Sequence, residues 1–227
     1  LLPFLLSFLL LSGCQAPAEP APTLEATTAP IVTATPEPTA APDPIWEQVR
    51  ALFDEELAGQ VLVVGIQGGA PGEDGAALLE EVHPGGIILF SRNVADPEQL
   101  SELTNGLKVM NAQEGNLPLF LCVDEEGVRV SRMPEQLADL PAAYDYAQAG
   151  GDSAALGRAL AAECAAFGFS VDFAPVLDVW SNPDNTVIGK RAFGTEAWAV
   201  AAFGPQVAAA MAEGGVIPVG KHFPGHG

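Results

Sequence analysis

Five short apolar runs, rich in Val and Ile, set the limits on what this chain can fold into: Gln60–Gln67, Gly86–Ser91, Leu117–Asp124, Val171–Val179 and Val216–Lys221. A run with no polar alternation reads as a strand covered on both faces, and such strands belong to parallel sheets flanked by helices. The segments between them carry helical periodicity. Asp96-Pro97 opens one helix with Leu100, Leu103, Leu107 and Met110 along one side. Another carries Leu156, Leu160, Cys164 and Phe167, and a third runs from about Ala197 to Glu213, where Gly204-Pro205 should kink it or delay its start. Before the first strand, Asp43-Pro44 reads as a cap and first helical turn, with Ile45, Val49, Leu52 and Phe53 on one face. Strand and helix alternating with short loops mean a parallel α/β domain over residues 43–227.

Two parallel architectures compete. A doubly wound nucleotide-binding fold needs a glycine fingerprint after its first strand, and Gly65–Gly72 lacks the G-x-G-x-x-G spacing. No P-loop is present either. A (β/α)8 TIM-type barrel instead gathers its chemistry at the C-terminal ends of several strands. Here Arg92, Arg129, Arg132, Lys190, Arg191 and Lys221 all fall at or just after predicted strand ends, whereas only Arg50, Lys108 and Arg158 fall on helices. Asp124 and Asp178 also lie at strand ends. A rigid mouth of cations and carboxylates suits a neutral polyol, because carboxylates accept from hydroxyls and Lys, Arg and His donate to them. A full barrel takes about 250 residues, so the domain is expected to be truncated here after about five strands.

Charge narrows the partners. There are 29 acidic residues against nine basic ones, a net charge of −20. Nucleic acid is excluded as a partner, because phosphate binding needs clustered Lys and Arg. Electrostatic attachment to anionic lipid is disfavoured for the same reason.

The first 42 residues read differently. Leu1–Leu11 is almost wholly apolar, too short for a span of about 20 residues but of the length of a secretory signal core. It runs into Leu11-Ser12-Gly13-Cys14, which resembles the lipobox of bacterial lipoproteins. Residues 1–14 are therefore expected to be a lipoprotein signal ending at Cys14, the lipidation site. The expected location is extracytoplasmic, on the cell membrane through the lipid anchor only. Residues 15–42 are nearly all Ala, Pro, Thr and Glu, without an aromatic or a basic residue, and are expected to form a disordered stalk. Cys122 and Cys164 sit in apolar patterns and read as small core residues.

The most specific motif closes the chain. Lys221-His222-Phe223-Pro224-Gly225-His226-Gly227 follows a Val-containing strand and resembles the signature of glycoside hydrolase family 3, in its β-N-acetylhexosaminidase branch. Three further stretches agree with the family in order: Val123–Arg132 resembles V-D-x-E-G-G-R-V-x-R, Asp172–Val179 resembles D-x-x-P-x-x-D-V, and Gly189–Gly194 resembles G-x-R-(S/A)-F-G. The resemblance spans about Glu47 to Gly227.

It implies a retaining two-step glycosidase that cleaves terminal β-linked N-acetylhexosamine (N-acetylglucosamine) in carbohydrate or cell-wall metabolism, with no metal or other cofactor. It places Asp124, Arg132, Arg191, Lys221 and His222 on the sugar, with Arg129, Asp178 and His226 behind them. The acid/base His and nucleophile Asp are expected beyond Gly227. A β-glucosidase-type specificity and a non-catalytic sugar-binding lipoprotein are the alternatives. One position departs from the family: its second motif Gly is Val128 here, which would be strained if that Gly has φ > 0.

Two other readings are weaker. His222 and His226 are four apart, a metal-binding spacing on a helix, but Pro224 and Gly225 between them prevent that helix. Lys221 could form a Schiff base, yet acidic neighbours would keep its amine charged. His83, before Pro84-Gly85, reads as a turn residue, and Asp124-Glu125-Glu126 taken alone as a solvated turn.

Overall fold

A computed structural model describes residues 43–227, so the expected signal, Cys14 and stalk lie outside the described residues. The elements alternate as α1 (Pro44–Ala51), α2 (Asp54–Gln60), β1 (Val63–Gly65), α3 (Glu73–Glu81), β2 (Gly86–Ile88), α4 (Pro97–Gln113), β3 (Phe120–Val123), α5 (Ala143–Gln148), α6 (Ser153–Ala166), β4 (Val171–Asp172), α7 (Ala197–Glu213) and β5 (Ile217–Pro218). Short 3-10 turns at Ser91–Asn93 and Gly189–Arg191 follow β2 and precede α7.

All five strands are parallel and lie in the order β1-β2-β3-β4-β5. That consecutive order is the order of a barrel wall. A doubly wound sheet would reverse at a switch point, and none occurs among these strands. In-register residues share a face. Val64, Ile87 and Leu121 face the helices together, and so do Val123 and Asp172. Ile87, Leu121 and Val123 are fully buried there, against Leu100, Leu103 and Leu107 of α4 and Leu156, Leu160 and Cys164 of α6. The opposite face carries Val63, Phe120 and Ile217, each close to half exposed. That face is covered only in part: Cys122 and Val171, in register with Ile217, are buried.

Aspartates begin three helices, at Asp43 and Asp96 as the sequence leads one to expect and also at Asp152. The carboxylates of Asp43, Asp96 and Asp152 accept first-turn N–H groups at 2.9 Å, offsetting donors that have no helical partner. The helix expected after Asp43 differs from expectation. It ends at Ala51, none of its residues is buried, and Ile45, Trp46 and Phe53 are largely exposed. A second helix, α2, starts beyond Phe53, where the Glu56 carboxylate accepts the Phe53 N–H at 2.7 Å. Gly204-Pro205 also fails to delay α7, which starts at Ala197 and carries Pro205 inside it. Packing of α7 on α6 overrides the local preference: Gly157 brings α6 so close that a Cβ there would lie 2.3 Å from the Val207 carbonyl oxygen.

Candidate active site

The site is built where three strands end. Asp124 follows β3, Asp178 lies on the extended segment after β4, and Lys221 follows β5, where it bridges to Val176 in parallel. The Lys221 Nζ meets Asp124 Oδ1 at 2.6 Å and Glu126 Oε1 at 2.5 Å. Glu126 also takes a two-pronged grip from Arg191, from Nε at 2.7 Å and Nη2 at 2.9 Å. The Glu126 side chain is only 4% exposed, against 13% for Arg191 and 14% for Lys221. Two cations and two carboxylates thus balance one another in a nearly dry space, which is the condition under which buried charges are tolerated.

Beside this cluster, Asp178 organises the last loop. Its Oδ2 faces His222 Nδ1 at 2.5 Å and accepts the His222 N–H at 3.2 Å, and its Oδ1 accepts the His226 N–H at 2.6 Å. A carboxylate only accepts, so His222 donates to it from Nδ1, and its Nε2 has no partner among the described residues. His222 lines an open cleft with Leu177 and Lys221. The His226 ring packs edge-on against it, centroids 5.6 Å apart.

Burial alone would raise the Asp178 carboxyl. The His222 ring, the His226 N–H and the His222 N–H outweigh that and hold it below its ordinary value. A depressed carboxyl contributes stability above its unfolded pKa of about 4 and loses it as pH falls through the lower folded value. Asp178→Ala is accordingly expected to lower stability by about 1.5–3 kcal/mol at neutral pH. The gap between wild-type and variant melting temperatures should close as pH is taken down toward 3. A gap that persists in strong acid would show that the charge on Asp178 is not the tether.

Not every expected residue joins the cluster. Arg129 is directed away: its Nη2 donates to the Thr186 carbonyl at 3.3 Å on the exposed side. The Arg132 guanidinium donates to its neighbour Ser131 O at 3.1 Å and lines a separate hollow with Ser91, Val94 and Glu135. Its Nε is buried without a hydrogen-bond partner among the described residues. Arg92 donates to Ile66 O and ties the β1 and β2 loops together over the Phe90 ring. Lys190 pairs with Asp145 at 2.8 Å in solvent.

Val128 is unstrained. The glycine of this turn with a positive φ is Gly127, at 96°, where a Cβ would also press on the Pro141 carbonyl. Val128 is half exposed and donates its N–H to Leu140 O at 2.9 Å. The structure also brings in Glu125 and Glu126, two acids of the Asp124-Glu125-Glu126 run that taken alone reads as a solvated turn. Glu126 was visible in principle, as the second acid of the V-D-x-E motif. The two free thiols among the described residues are core groups: burial pushes Cys122 up to about 11 and Cys164 well above its ordinary value. Among the described residues, no group of three or more His, Cys, Asp or Glu converges as a metal site. His83 bonds Asn116 at 2.7 Å, a structural contact.

The glycosyl hydrolase family 3 N-terminal domain matches residues 53–227. The chain belongs to this family. Among family 3 relatives it is similar to the beta-hexosaminidase LpqI of Mycobacterium tuberculosis, 37% identical over 179 residues, which cover 78% of this chain and 44% of that protein. Among solved structures it resembles a family 3 beta-N-acetylglucosaminidase from a Paenibacillus species, with TM-score 0.72 and 36% identity, covering 78% of this chain and 34% of that one. It also resembles NagZ from Neisseria gonorrhoeae in complex with N-trifluoroacetyl-D-glucosamine, with TM-score 0.64 and 38% identity, covering 73% and 50%. This family 3 chain therefore spans half or less of the length of these proteins. Its five parallel strands are part of the (β/α)8 wall of the family's N-terminal domain.

Proposed function

We propose that the protein carrying this domain is a retaining β-N-acetylhexosaminidase that removes terminal β-linked N-acetylglucosamine. The observation that carries this reading is the neutralised cluster of Asp124, Glu126, Arg191 and Lys221, with Asp178 and His222 beside it, at the C-terminal ends of family 3 barrel strands. Charged groups that balance one another can hold a sugar's hydroxyls without demanding a charged ligand. Asp124 accepts from hydroxyls, Lys221 donates to them, and the second ring nitrogen of His222 bonds a further one. Glu126 and Arg191 keep Lys221 in place. Relatives named beta-hexosaminidase and a family 3 neighbour holding an N-acylglucosamine analogue support the choice of sugar.

In a retaining reaction a carboxylate attacks the anomeric carbon, and water then releases the glycosyl-enzyme with help from an acid/base. The role of the residues described here is to hold the sugar in place for those two steps. The apolar run ending at Cys14 supports a further part of the proposal, that the enzyme is a lipid-anchored, extracytoplasmic protein.

The test is turnover of nitrophenyl N-acetyl-β-glucosaminide and nitrophenyl β-glucoside by the full-length gene product. Expected is kcat/KM at least about 100-fold higher on the first, the scale of a few lost hydrogen bonds to the acetamido group. Equal rates would overturn the choice of sugar. N-Acetylglucosamine binding with no hydrolysis would mark a sugar-binding protein instead.

A further inference from the structure

Beneath the cluster lies a second pair of acids that no sugar reaches. Asp172 of β4 is fully buried and Glu125 is 1% exposed. Asp172 points to the helix side of the sheet, level with Val123, and lies beside Cys164 of α6. Its Oδ1 accepts the Glu125 N–H at 2.9 Å. The Glu125 carboxylate then closes the loop on itself. Oε1 accepts the Gly127 N–H at 3.0 Å, and Oε2 accepts the Ser131 hydroxyl at 2.6 Å and the Arg132 N–H at 3.0 Å. Glu125 fills the position that the V-D-x-E motif leaves open, so its identity follows from neither the motif nor sugar chemistry.

Alternation along the chain explains the use of such a bond. Asp124 and Glu126 flank Glu125 and both reach Lys221, while Glu125 itself turns into the interior. Fixing the Glu125 backbone from below therefore fixes the aim of both neighbours.

We propose that Asp172 and Glu125 are positioning residues: together they form a buried bracket that aims Asp124 and Glu126 at Lys221 and Arg191. Burial pushes the Asp172 carboxyl up to about 8. The Glu125 N–H and the Lys221 charge oppose that rise, and the Glu125 charge adds to it. Burial raises the Glu125 carboxyl as well, against the hydrogen bonds from Ser131, Arg132 and Gly127. The importance of the bracket for catalysis rests on the function proposed above, whereas its existence does not.

The test reads Lys221 directly. In the full-length gene product, each lysine is acylated with an N-hydroxysuccinimide ester and its rate followed by peptide mass spectrometry. Lys221 is shielded by its two carboxylates, whereas Lys108 and Lys190 are held at the exposed surface and serve as internal controls. Glu125→Gln keeps the volume but sets an amide N–H against a backbone or hydroxyl donor. It is expected to speed labelling of Lys221 about tenfold while Lys108 and Lys190 stay unchanged.

Asp172→Ala should do the same, and Asp172→Asn, which keeps an acceptor for the Glu125 N–H, should label like wild type. KM for the N-acetylglucosaminide should rise in step with Lys221 labelling across the three variants. An unchanged Lys221 rate in Glu125→Gln would overturn the bracket, as would Asp172→Asn labelling as fast as Asp172→Ala. Faster labelling at all three lysines would reduce it to a general contribution to folding. Absence of hydrolysis by the wild type would sink the enzyme reading alone, because lysine labelling needs no turnover.

Discussion

Glu126→Ala in the full-length protein is expected to lower stability by about 3–5 kcal/mol, the cost of leaving buried charges without their partner. Arg191 loses both of its carboxylate bonds and Lys221 loses one of two. Two cations would then share a nearly dry space with Asp124 alone, where water cannot screen them. Turnover should fall together with stability, because Lys221 and Arg191 are held by the group that is removed. Glu126→Gln should fall between, since an amide keeps the shape and one acceptor but not the charge. Denaturant unfolding of the three proteins, with rates on the nitrophenyl substrate at a temperature where all are folded, separates the two effects. If Glu126→Ala unfolds at the wild-type denaturant midpoint, the cluster is solvated in solution and the balance of charges described above is wrong.

Residues 43–227 produced alone are expected to aggregate or to melt without cooperativity. Among the described residues, β1 and β5 form the two edges of the sheet, and each offers unpaired backbone groups to another chain. The face opposite the helices presents Val63, Phe120 and Ile217, and Leu177 and Phe223 are also exposed. Patches of this kind on an isolated chain mark association. Light scattering and a thermal scan test the expectation. A monomer with one sharp transition would mean that the five-stranded sheet is stable by itself.

Much of the fold could be read locally. The strand cores at Val64, Ile87 and Leu121 fall inside the apolar runs, and the Asp-Pro pairs stand where α1 and α4 begin. What misled local reading was packing. Pro205 sits inside α7 because the contact between α6 and α7 outweighs its lost hydrogen bond, and α1 is amphipathic yet buries nothing. Helices α3 and α5 carried no periodic stripe strong enough to single them out.

The site divides along the same line. Asp124, Asp178, Arg191, Lys221 and His222 could be named from the sequence, because each falls in a motif at or near a predicted strand end. Which of them touch could not. Arg129 and Arg132 belong to the same motif as Asp124, Glu125 and Glu126, yet neither guanidinium joins the cluster and both acids turn inward. The pairings that build the site join residues 65 apart, as Arg191 and Glu126, and 97 apart, as Lys221 and Asp124.

Side-chain period and cap chemistry act over a few residues, so the sequence by itself determined the alternation of strand and helix and the residue types gathered at the mouth. Whether an acidic run is solvated or buried depends on which cations the neighbouring strands deliver and on how much water they exclude. Only the parallel stacking of β3, β4 and β5 decided that.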